Sequence, residues 1–148
     1  MNLHSAPSRG RGFTLIELLV GLAILAIIGA LAYPSLMASI YKSRRSDGIA
    51  GIVRVQQAQE RWRSSNATYS ASLSDLGMPS TSPDGRYTLS IDGAVTAKQF
   101  RITATATGSQ ANDTKCKILF VTQTGGTPVY GSSDGSAEVT GNSPCWSR

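Results

Sequence analysis

Hydrophobic and polar positions divide the chain near residues 40 and 64. Between Glu17 and Lys42 there is no charged residue, and the run holds Leu18, Leu19, Leu22, Ile24, Ile27 and Leu31. Such a segment is long enough to cross a bilayer as a helix. Residues 42–64 then turn amphipathic. Ile49, Ile52 and Val53 form one apolar stripe, which Val55 and Trp62 extend along the axis. Arg44, Arg45, Arg54, Arg61 and Arg63 fall mostly elsewhere, on a solvated face or against lipid headgroups. The pattern predicts one helix over 13–64, its first part in membrane to about residue 40. Pro34 lacks a backbone donor, so a kink is expected just before it, with Tyr33 biased away from helical geometry.

Beyond residue 64 the period changes to two. Ser64-Ser65-Asn66 ends the helix, and a connecting loop runs to Asp84. A short helical turn is expected over 72–76, capped by Ser72 or Ser74 and stopped by Gly77. Asp84-Gly85 reads as a turn. Tyr87, Leu89 and Ile91 alternate with polar residues, as do Phe100, Ile102, Ala104 and Ala106, giving two strands joined at Asp92-Gly93. A polar loop over 108–112 leads to a third strand over 117–122, with Ile118 and Phe120 on one face and Leu119 and Val121 on the other. After Gly125-Gly126 only Val129-Tyr130 reads as a short strand. The fold class is α+β: a long N-terminal helix packed on a small antiparallel sheet.

Composition changes this picture little. The chain has 148 residues, and its 41% apolar fraction is inflated by the membrane run. Residues 65–148 suffice for one small domain with a modest core. The formal net charge of +5 falls to +3 without Arg9 and Arg11, so the basic balance is weak evidence for nucleic acid. Charges flank both ends of the apolar run, Arg9 and Arg11 before it and Lys42, Arg44 and Arg45 after it, so topology does not follow from them.

Catalytic chemistry is nearly absent, which points to a non-enzyme that needs no cofactor. His4 is the sole histidine, and there is no phosphate-binding glycine loop, nucleophile elbow or Cys/His metal spacing. Asp84, Asp92, Asp113 and Asp134 sit near Gly, Ser or Asn, as turn residues do. Cys116 and Cys145, in a small loop-rich domain, suggest a disulfide made in an oxidising compartment; the alternative is two free buried thiols.

Glu17 is the anomaly. A carboxylate in a membrane helix costs up to about 3 kcal/mol and calls for a partner. No basic residue lies in the run, but cleavage of the Gly12-Phe13 bond would release an α-amino group about one turn away, able to meet this acid or a neighbouring subunit's. The rival is a removable secretory signal, with Arg9 and Arg11 as its basic end and Ala30-Leu31-Ala32 as its cleavage site. An acid at residue 17 serves no purpose there.

The stretch Gly12-Phe13-Thr14-Leu15-Ile16-Glu17, after a short basic leader and before an apolar helix, resembles the class III signal of type IV pilins and pseudopilins. The resemblance implies that residues 1–12 are a leader, removed by a prepilin peptidase that cuts after Gly12 and methylates Phe13. It implies that Glu17 pairs with a neighbour's N-terminus during assembly at an inner-membrane platform. The helix occupies 13–64 and the globular domain 65–148, periplasmic before assembly and extracellular in the pilus afterwards. A disulfide-closed C-terminal segment, and helicity lost around Pro34 in the filament, belong to the same family pattern.

Tyr33-Pro34-Ser35, Arg44-Arg45-Ser46-Asp47-Gly48, Ser82-Pro83-Asp84-Gly85 and Cys145-Trp146 are similar to the PilE-like minor pilins of type IVa pili, which implies a minor subunit that joins or primes a fibre used in adhesion and twitching motility. Competence minor pilins of the ComP type share this architecture and bind DNA through a basic surface. Here Lys98, Arg101, Lys115, Lys117 and Arg148, with Trp146 or Tyr130 for stacking, are the candidates, opposed by Asp113, Asp134 and Glu138. The third reading is a type II secretion pseudopilin, whose major member holds calcium; the paired cysteines argue against it.

Overall fold

The computed structural model describes residues 12–146. The leader to Arg11 and the candidate Arg148 lie outside them. Two compact units divide at Met37 and Ala38.

Helix α1 runs Leu15–Arg63, 49 residues, through both units. Its start is capped: the Thr14 Oγ1 accepts the backbone N–H of Glu17 at 3.3 Å. In the first unit the apolar side chains find no cover among the described residues. Leu15, Leu25 and Leu31 are 78%, 66% and 76% exposed, and the helix is long and apolar enough to cross a membrane. Pro34 lies inside α1, and Tyr33, expected to leave helical geometry, stays helical. A proline removes one donor, and the helix's remaining bonds hold the turn on either side.

In the second unit a five-stranded antiparallel sheet has the order β1-β2-β3-β4-β5. Its strands are β1 (Tyr87–Asp92), β2 (Gln99–Ala106), β3 (Ile118–Thr124), β4 (Thr127–Ser133) and β5 (Glu138–Thr140). Strand alternation places Phe100, Ile102, Ala104, Leu119 and Val121 in one core cluster with Ile52 and Val55 of α1. The opposite face carries Phe120, 1% exposed, with the Arg101 guanidinium 3.9 Å from its ring centre.

Four expectations need correction. The buried seam of α1 keeps Ile52 and Val55 of the expected stripe, with Ile49 packed against the core, but not Val53, which is 39% exposed; Asp47, Gly48, Gly51, Ala58 and Gln59 complete it. Small residues win because the helix lies close to β1. A Cβ at Gly48 would meet the Tyr87 ring at 3.0 Å, and one at Gly51 would meet the Leu89 methyls at 3.0 Å. The tail holds two strands, β4 and β5, rather than a two-residue one. β4 was masked by Pro128 and Gly131, yet Gly131 is needed there, since a Cβ would collide with the Phe120 ring and the Val139 carbonyl. Residues 72–76 make turns without a helix, closed by bonds from Gly77 N to Ser74 O and Met78 N to Leu73 O. The loop over 108–112 is a 3-10 helix, Gly108–Asn112.

Candidate assembly and nucleic-acid interfaces

At the first site, Phe13 and Glu17 are both exposed at the start of α1. Glu17 occupies the first turn, where a negative charge interacts favourably with the helix dipole. Its carboxylate has no partner among the described residues. An exposed acid at the head of an uncovered apolar helix is suited to pairing with an amine in an apolar setting.

The second site is the end of the domain around Cys116–Cys145, which are bonded with their Cα atoms 5.8 Å apart. The bridge ties the entry of β3 to the chain's C-terminal segment. Beneath it, Arg45 donates to both oxygens of Asp113 at 2.7 and 3.0 Å. The two side chains are only 13% and 5% exposed. Arg45 is therefore not on a solvated face, and Asp113 is not an ordinary turn residue. Asp47 is likewise internal: its carboxylate accepts from Ser82 Oγ at 2.6 Å and from the N–H groups of Asp84 and Arg86. Gln110, 1% exposed, donates to the Tyr41 carbonyl and the Tyr87 hydroxyl. These polar pairs, spaced far apart in sequence, were invisible to periodicity, which scores only apolar positions.

Burial pushes the Tyr87 hydroxyl from 10.0 up to about 12; the Gln110 bond opposes the shift and the Asp113 charge reinforces it. The unfolded chain loses this proton from pH 10, whereas the folded one keeps it to about 12. The associated stability is thus fully present below pH 10 and is lost as pH rises through 12. Alkaline titration followed by circular dichroism should show weakening across this window, and Tyr87→Phe should flatten that part of the curve.

The residues expected to contact DNA that the structure describes do not form one patch. Lys98 precedes β2, while Lys115 and Lys117 follow it, with the Lys117 carbonyl accepting from Ala106 N. Eight residues of strand, roughly 25 Å, separate the two ends. Arg101 is engaged with Glu138 at 2.6 Å and with Phe120, and this bond holds the Glu138 carboxyl below its usual range. Trp146 donates to the Gly131 carbonyl at 2.7 Å and packs on Tyr130 at 4.7 Å. Asp134 is lowered to about 2 by bonds from the Ala137 and Ser136 N–H groups and the Ser136 hydroxyl, a local turn. Exposed Lys115 and half-buried Lys117 remain beside the disulfide. Lys42 lines a hollow there with Cys145, and Arg44 reaches Ser109 at 3.2 Å. No group of three His, Cys, Asp or Glu able to hold a metal occurs among the described residues.

Comparison with protein families accounts for both ends of this arrangement. The prokaryotic N-terminal methylation motif matches residues 7–33, and the family described as type IV minor pilin ComP, DNA uptake sequence receptor, matches residues 34–120. The chain belongs to the type IV minor pilin family. Pilins are structural proteins that assemble with other pilins.

Among similar proteins, the type II secretion system core protein G of Dickeya chrysanthemi is 30% identical over 82 residues, 53% of this chain and 54% of that protein. The type IV major pilin protein PilA of Myxococcus xanthus is 33% identical over 77 residues, 52% of this chain and 35% of that protein. The type IV wide pilus major component PilA4 of Thermus thermophilus is 36% identical over 74 residues, 48% and 56% of the two chains. This pilin thus spans about half the length, or less, of these relatives.

Proposed function

We propose that this pilin is a minor subunit of a type IV pilus, cut after Gly12, methylated on Phe13, and drawn into the fibre from an inner-membrane assembly platform with its globular domain periplasmic. The supporting observation is the uncovered apolar helix headed by Glu17: lipid solvates it before assembly, and neighbouring pilin helices replace the lipid afterwards. Glu17 pairs with a methylated Phe13 amine of another subunit, which offsets the cost of an acid in an apolar setting and sets register. A bend near Pro34 belongs to the filament state. Glu17→Ala should leave the pilin in membrane fractions yet deplete it from sheared pili by about tenfold or more, the factor that 1.4 kcal/mol would give. Normal incorporation would remove the pairing role.

A second reading, uptake of DNA, is favoured by the matched family's description as a DNA uptake sequence receptor. On this reading the contact surface is centred on Lys115 and Lys117 beside the disulfide, with Lys42 and Arg44, rather than on Arg101 and Trp146. Duplex DNA should bind the full pilin in detergent, weaken steeply with salt, and bind less well to the Lys115→Ala, Lys117→Ala double variant. No binding at low salt would end this reading. The relatives named for type II secretion support a third placement, in a secretion pseudopilus; recovery of the chain with sheared pili distinguishes it.

A further inference from the structure

Where α1 and the β3–β4 hairpin diverge, the core ends and a hollow of about 580 Å3 opens, within the range typical of small-molecule sites, roughly 300–1,000 Å3. Its lining is rich in amides: Gln56 and Gln57 from α1, and Gln123 near the end of β3. Gln123 is only 8% exposed as a residue, yet its amide is not sealed from solvent where it lines the hollow, and no hydrogen bond joins that amide to the described residues. Gln59, by contrast, bonds Ser70 through both amide atoms at 2.7 and 2.9 Å, and Gln110 is bonded through its nitrogen. An amide that reaches solvent with no protein partner can both donate to and accept from a ligand.

Tyr130 forms the wall of this hollow and of a second one, about 410 Å3, that also contains Asn142 and Trp146. The Tyr130 ring is held by its packing on Trp146, whose indole is anchored to Gly131. The ring is thus a fixed apolar platform with amides on both sides. The only charges in the larger hollow, Glu60 and Arg61, cancel. A nucleic-acid backbone needs an excess of cations and finds none here. A peptide strand needs a free sheet edge with donors to offer; here β5 covers β4 from Gly131 to Ser133, the Tyr130 carbonyl is taken by the Gly141 N–H, and Pro128 has no N–H.

We propose that the two hollows flanking Tyr130 bind a neutral oligosaccharide, Gln123 and Gln57 bonding its hydroxyl or acetamido groups and the Tyr130 ring stacking on a sugar face. The test uses the full pilin in a detergent that lacks a sugar headgroup, titrated calorimetrically with chitotetraose and cellotetraose. Saturable binding of at least one probe, with a dissociation constant of about 1 mM or tighter, is expected. Gln123→Leu and Tyr130→Ala should weaken it by about tenfold or more. Gln57→Ala, at an exposed position away from the core, should weaken it with no change in the circular dichroism spectrum, which separates loss of contact from misfolding. The proposal is overturned if neither probe saturates by about 10 mM, or if binding is unchanged in all three variants. It is equally overturned if these variants impair binding of a single-stranded oligonucleotide while neither saccharide binds.

Discussion

Asp113→Ala is expected to destabilise the globular unit by about 3–5 kcal/mol, the range for breaking a buried ion pair by removing one partner. The reason is what remains. Arg45 stays 13% exposed at the side chain, with both of its bonds to Asp113 lost and no other carboxylate bonded to it. Gln110 keeps its bonds to Tyr41 and Tyr87 but is left beside an unpaired guanidinium. Since a domain of this size is stable by roughly 5–15 kcal/mol in total, this is a large share of its stability. Thermal unfolding of the full pilin in detergent measures the effect. The double replacement Arg45→Met, Asp113→Leu should recover most of the loss, because apolar residues of similar volume fill such a site without desolvating charge. A cost below about 1 kcal/mol for Asp113→Ala would show that the pair behaves as an exposed one.

Removing the disulfide by Cys116→Ser, Cys145→Ser should cost roughly 3–4 kcal/mol, since the bridge closes a separation of 29 residues and restricts the unfolded chain accordingly. Both cysteines are nearly fully buried, 2% and 3% exposed, so the serine hydroxyls add a desolvation cost. A fall in melting temperature of more than about 10 °C is expected. The two effects should not add. The loop from Asp113 to Cys116 is shared, with the Cys116 N–H donating to the Asp113 carbonyl at 3.2 Å, so loss of either anchor loosens the other. An additive double loss would show that the ion pair and the bridge act independently.

Why part of this molecule could be read from its sequence follows from which forces leave a periodic trace. β1 and β2 alternate cleanly because one face of each packs on the core, and Tyr87, Leu89, Phe100 and Ile102 were placed correctly. The long apolar run and the cysteine pair are legible because each is anomalous against its surroundings. The packing face of α1 is legible only in part: Ile52 and Val55 of the apolar stripe lie in it, but close approach sets the rest, where Gly48 and Gly51 admit Tyr87 and Leu89. β4 was shortened to two residues for the same reason, since its middle is a glycine chosen by Phe120 across the sheet. Arg45 with Asp113 and Asp47 with Ser82 bring together residues 68 and 35 positions apart, a distance at which no local pattern operates. The expected basic surface joins cations from both ends of β2, and the strand between Lys98 and Lys115 carries them to opposite ends of the sheet.

Intact-mass measurement and N-terminal sequencing of the chain recovered from sheared pili bear most directly on whether this helix is kept as an assembly device. The expected product begins at Phe13, carries one methyl group on its terminal nitrogen, and retains the entire apolar run. A mature chain beginning at Tyr33, with that run removed, would contradict it.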